Sequence, residues 1–132
     1  MGIYTDKAVE LSKGGYPCSQ AVAYAFAEKL GADAEKLKAE AIIYRGGRKK
    51  ICGAVMGARC VINYLNGIKN SEDPALESPE TAELIAEVSR RFIEKNTTEL
   101  CAELKGNKIR SCVGCVEDAA AILEQMINEG KV

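Results

Sequence analysis

The sequence predicts an all-α fold, a single-domain bundle of about six or seven helices spanning residues 1–132. Three observations lead there. Apolar residues recur at spacings of three and four, as in Ile85, Val88 and Phe92, or Val113, Val116, Ala120, Leu123 and Ile127. Start and stop residues (Pro17, Asp33, Ser78-Pro79, Gly106, Ser111) bracket stretches of helical length. No pair of alternating stretches flanks a hairpin turn, and there is no internal repeat or low-complexity tract.

The elements follow in order. Residues 3–13 form a short amphipathic helix with Ile3, Ala8 and Leu11 as its apolar positions. GGYP, residues 14–17, breaks it, and Pro17 suits the first turn of a second helix that Gly31 stops after Leu30. Asp33 caps a third helix through about Ile43, and YRGGRKK, residues 44–50, is a loop. A fourth helix starts at Cys52 and ends near Leu65, before the Asn66-Gly67 turn. Polar residues 67–78, with Pro74, form a linker; Ser78-Pro79-Glu80 then opens a fifth helix with a cap, a proline and an acid. Thr97 or Thr98 caps a short sixth helix carrying Cys101 and Leu104, which Gly106 stops. The last helix opens near Ser111.

Composition excludes several function classes. A net charge of −1 with 47% hydrophobic residues gives no reason to expect a nucleic-acid or membrane partner. The start, MGIYTDKAVELSK, lacks the apolar stretch of a secretory leader, and the longest apolar run, AVAYAFA, is too short to cross a bilayer. A cytoplasmic location is the expectation. In a reducing compartment six cysteines read as metal ligands, redox thiols or small core residues rather than as a disulfide framework. The chain has no histidine, which removes a Cys–His nucleophilic pair, a Ser-His-Asp triad, a mixed Cys/His zinc site and a c-type haem. Any metal would be held mainly by sulfur.

Cys18, Cys52 and Cys112 each fall in the first turn of an expected helix, where backbone N–H groups favour a thiolate. Arg45, Arg48, Lys49 and Lys50 precede Cys52, and Lys105, Lys108 and Arg110 precede Cys112, adding positive charge. Against this, Cys18 shares a helical face with Val22 and Phe26, and Cys52 with Met56 and Cys60, as packing thiols would. Cys60 lies about 12 Å along the helix from Cys52 at a rise of about 1.5 Å per residue, so it is read as core. Cys112 and Cys115 form a CxxC at a helix start, which serves either a dithiol couple or half of a metal site. Cys101 can meet Cys112 across the turn at Gly106. Gly53, Ala54, Gly57 and Ala58 give one face without bulk, suited to close helix packing or to lining a cofactor.

Four stretches together resemble a family named for its cysteine pattern, C_GCAxxG_C_C, whose members are labelled redox-active proteins. They are GGYPCSQAVAYAF with Cys18, ICGAVMGA with Cys52, TTELCAELKG with Cys101 and SCVGCVEDAAAIL with Cys112. They occur in the family's order and cover most of the chain; Ile51 stands where the pattern has glycine, leaving the CGAxxG core intact. The resemblance implies an all-helical redox-active or metal-binding protein with Cys18, Cys52, Cys101 and Cys112 as site residues. The chain is also similar to the segment associated with an iron–sulfur centre in split-Soret cytochromes c, though with no histidine for their haems.

The leading expectation is a cysteine-ligated metal centre, iron–sulfur rather than zinc, for electron transfer or redox sensing. Cys18, Cys52, Cys101 and Cys112 are its ligands, Cys115 is a fifth thiol able to replace Cys112 or resolve it, and Gly53 and Gly57 give close access. The alternatives are a metal-free thiol–disulfide protein using Cys112 and Cys115, and a structural zinc site. Either redox reading implies a redox partner protein, and the exposed helix faces allow a homodimer. No catalytic residue is assigned.

Overall fold

Several helix ends in this chain are set by local bonds, and one start is set by a bond from a distant helix. The computed structural model describes residues 2–30, 51–65, 79–106, 109 and 111–130. The expected helix over residues 33–43, the basic loop 44–50, the Asn66-Gly67 turn, the linker 67–78, the stop at Gly31 and the cap at Ser78 lie outside the described residues. Six helices are described: α1 (Ile3–Lys13), α2 (Cys18–Leu30), α3 (Gly53–Leu65), α4 (Pro79–Asn96), α5 (Cys101–Gly106) and α6 (Cys112–Asn128). The fold class is all-α, and the only β pairing among the described residues is an isolated antiparallel bridge between Ile51 and Leu100.

The expected boundaries among the described residues hold closely, with two shifts of one residue: Pro17 precedes α2 and Cys52 precedes α3 rather than opening them. The GGYP break is a Schellman ending. Tyr16 N–H reaches Leu11 O at 3.2 Å and Gly15 N–H reaches Ser12 O at 3.2 Å. Gly15 takes the φ of +103° that this motif demands, which a residue with a Cβ rarely adopts. Ser111 caps α6 by accepting Gly114 N–H at 3.0 Å. Thr98, not Thr97, organises the start of α5: its Oγ1 accepts Leu100 N–H at 3.1 Å and donates to Glu103 Oε1 at 2.6 Å.

The α1 start is capped from far away. Gly2 stands at its N-cap with no side chain to offer. Glu124 of α6 supplies the acceptor, its Oε1 taking both Thr5 N–H at 2.9 Å and Thr5 Oγ1–H at 3.0 Å. The carboxylate also lies against the Gly2 Cα, where a Cβ would overlap it.

Packing directions follow from a few pinned pairs. Tyr4 stacks on Phe26 with ring centroids 4.9 Å apart, so α1 and α2 run antiparallel. From its start beside Glu124, α1 keeps extensive contact with α6, which has little helix left beyond that residue, so α1 runs back along it. Asn96 Nδ2 donates to Asp118 Oδ2 at 3.1 Å and Arg91 pairs with Glu129 at 2.9 Å, which sets α4 antiparallel to α6. The apolar stripe Ile85, Val88 and Phe92 is buried, as are Val116, Ala120 and Leu123.

α3 is the central helix. It is buried from Gly53 through Asn63 apart from Arg59, and packs against α2, α4 and α6. Its most extensive contact is with α2, and Gly57 allows it. A Cβ built on Gly57 would stand 2.5 Å from Ser19 O and 3.1 Å from Ser19 Cα. Backbone therefore meets backbone at this crossing.

Two expectations follow. Gly57→Ala should destabilise the protein by about 1–3 kcal/mol, because overpacking against an immovable backbone outweighs the roughly 0.5–1 kcal/mol that alanine gains in a helix; chemical denaturation measures the difference. Glu124→Ala should cost about 2 kcal/mol by the same measurement, since it removes a cap and strands the buried Thr5 donors.

Candidate functional site

Four helix starts lie at one end of this bundle. α2 begins next to the end of α1, which runs back along α6 toward that helix's own start. α4 ends beside Asp118, in the first half of α6. Cys52, immediately before α3, donates its N–H to Glu99 O at 2.7 Å, just beyond the end of α4. Ser19, the second residue of α2, packs on the fifth residue of α3. The starts of α2, α3, α5 and α6 are thereby placed at the same end, and each carries a cysteine: Cys18, Cys52, Cys101 and Cys112.

The thiols differ in how water reaches them. Cys112 is exposed, Cys18 and Cys101 are half-buried, and Cys52 and Cys115 are buried. Cys112 is the first residue of α6 and Cys115 sits one turn later, with Cys115 N–H bonded to Ser111 O at 2.9 Å. An exposed thiol at a helix start with a buried one on the next turn is the arrangement a dithiol couple requires, an accessible sulfur to react and a protected one to resolve. Cys52 and Cys101 are held by the bridge at Ile51 and Leu100. Cys60 is fully buried in the core on α3. None of the six forms a disulfide.

Among the described residues, no three Cys, Asp or Glu side chains are gathered closely enough to hold a metal ion. The chemistry of the donor set nevertheless suits a sulfur-ligated centre: several thiols and no imidazole. Gly57 has the Ser19 backbone against its face, which leaves Gly53, next to Cys52, as the small residue beside a thiol.

Two residues at this end were not marked by the sequence. Ser19 is fully buried and its Oγ has no hydrogen-bond partner among the described residues. Glu99 receives the Cys52 N–H on its carbonyl, while its own Oε2 is buried without a partner among those residues. Ser19 follows Cys18 and Glu99 stands two before Cys101; adjacency to the cysteines was the only signal available.

Thr97 turns the chain between α4 and the Cys101 segment with φ +69°, a left-handed conformation seldom taken by a β-branched residue. Its N–H still bonds Ile93 O at 2.7 Å, closing the last turn of α4. Backbone strain is thus stored at the corner that delivers Glu99 and Cys101 to Cys52.

No helix among the described residues is long and apolar enough to cross a membrane. No curated protein and no solved structure matches the chain. A family model does match it, over residues 16–126, a span that takes in all six cysteines. Its description is "Putative redox-active protein (C_GCAxxG_C_C)", and the chain belongs to that family.

Proposed function

We propose that the cysteine-bearing end of the bundle holds a sulfur-ligated metal centre, an iron–sulfur cluster, that serves electron transfer or redox sensing. The observation that carries this reading is the placement of four helix starts, each with a cysteine, at one end of the fold. Cys18, Cys52, Cys101 and Cys112 are the proposed ligands, with Cys115 in reserve one turn beyond Cys112. When bound, such a cluster supplies one-electron chemistry at a potential set by hydrogen bonds to its sulfurs and by solvent exposure.

The chain's own part is to position and shield. The Ser19–Gly57 crossing fixes the start of α2 against α3, and the Glu99 carbonyl fixes the backbone of Cys52. Gly53 keeps bulk away from the first turn of α3, and exposed Cys112 gives the site its solvent-facing edge. A redox partner protein would approach from that edge.

A second reading has its own support. Exposed Cys112 and buried Cys115, one turn apart, fit a metal-free couple. There the Cys112 thiolate attacks a partner disulfide and Cys115 resolves the mixed disulfide, releasing the partner as a dithiol.

Protein purified without oxygen should contain iron and acid-labile sulfide and show visible absorption, and Cys52→Ser should lose all three. Zinc without colour would replace the cluster with a structural staple, and no metal would leave the dithiol reading standing. Cys115→Ser separates the two further. It should leave the iron content near that of the parent protein if Cys112 is the ligand, and abolish reduction of a disulfide substrate if the dithiol reading holds.

A further inference from the structure

The Ile51–Leu100 bridge sets the relation between two cysteines as well as two backbones. Cys52 pairs directly with Glu99, through the 2.7 Å bond to its carbonyl, and Cys101 lies two residues beyond Glu99. Side chains alternate between the two faces of paired chains. On that alternation Cys52 and Cys101, which flank the bridge, lie on the face opposite Ile51 and Leu100, Cys101 being also the first residue of α5. Leu100 is 41% exposed and Cys52 3% exposed, while Ile51 and Cys101 are both partly buried, Ile51 against the core. Residues in this diagonal relation stand about 7–8 Å apart. The Cα atoms of a disulfide stand about 4.4–6.8 Å apart, so closing the pair needs a shift of about 1 Å. The Cys101 segment enters from Thr97, whose left-handed backbone turns the chain out of α4.

We propose that Cys52 and Cys101 are a second dithiol–disulfide couple, separate from Cys112 and Cys115. This rests on the reading that the thiols at this end are redox-active, and it concerns the protein without metal. The oxidant is a low-molecular-weight disulfide such as oxidised glutathione. A thiolate on Cys52 or Cys101 attacks it, breaking its S–S bond and forming a mixed disulfide while one glutathione thiolate leaves. The other cysteine then attacks the protein sulfur of that mixed disulfide, closing the Cys52–Cys101 bond and expelling the second glutathione. Two protein thiols lose two electrons and two protons, and one glutathione disulfide becomes two thiols. Because the second attack is intramolecular, it outpaces capture by another glutathione. The product would join the chain before α3 covalently to the start of α5, across the Ile51–Leu100 bridge.

Trypsin makes this pair directly readable. Cleavage at lysine and arginine leaves Cys52 alone in residues 51–59, Cys101 alone in 96–105, Cys18 in 14–29, Cys60 in 60–69, and Cys112 with Cys115 in 111–131. The full-length protein, freed of metal by a chelator, is equilibrated with graded ratios of reduced to oxidised glutathione, alkylated and digested. Mass spectrometry should find 51–59 joined to 96–105 as the main crosslink of either peptide. In Cys101→Ser that crosslink should be lost completely, with glutathione found on Cys52 in its place. The proposal is overturned if Cys52 joins Cys18 or the 111–131 peptide instead. It is equally overturned if both Cys52 and Cys101 remain alkylated, or carry glutathione, once Cys112 and Cys115 are oxidised. If no thiol oxidises at all, the redox reading of these thiols falls with it. Absence of iron from the purified protein would defeat the metal centre and leave this crosslink expected; absence of the crosslink would leave the metal centre standing.

Discussion

The approach of α2 to α3 at Ser19 and Gly57 is the constraint from which the rest of the architecture follows. Two helix backbones touch only where one of them has no Cβ, and here the missing atom would stand 2.5 Å from a carbonyl oxygen. The contact fixes the beginnings of both helices relative to each other, and with them Cys18 and Cys52. α3 is then walled in by α2, α4 and α6, so its small residues are packing surface on nearly every side. A face that reads as either a cofactor lining or a close packing surface is, at Gly57, in contact with a neighbouring helix.

Position along the chain and depth in the fold are separate properties of the cysteines. Four of them lie at or immediately before helix starts, yet their exposure runs from open at Cys112 to buried at Cys52. The difference arises from the neighbours. α3 begins at the centre of the bundle, whereas α6 begins at its margin, following a short segment with Ile109 exposed. One thiol is consequently reached by water while another is shielded, although both occupy the same kind of local position. The pair at Cys112 and Cys115 repeats this contrast within one helix, because a step of one turn moves a side chain from the rim to the interior.

Much of the fold was legible because its signals are local. Ser111, Gly106 and the GGYP stretch act within a few residues of themselves, and the Ile85, Val88 and Phe92 stripe needs only the helical period to be read. The unread features act over distance or contradict preference. The Ile51–Leu100 bridge joins two segments too short to show any alternation. Thr97 is a residue type that argues against the φ it adopts, so nothing local announces the corner. Of the candidate site, the residue types and their place at helix starts were readable. Their arrival at one end was not, since it depends on pairings such as Asn96 with Asp118 and Cys52 with Glu99.

The cap on α1 has a consequence for how the molecule is made. Thr5 and Glu124 are separated by 119 positions, and an isolated helix as short as α1 is marginal in water. During synthesis from the N-terminus, α1 leaves the ribosome long before its acceptor exists. The chain therefore carries its first helix without this cap until α6 has been translated, with α2 as the neighbour made soon after it. The Thr5–Glu124 contact adds to the distant pairings of the fold, and it places the capping of α1 by α6 late in folding.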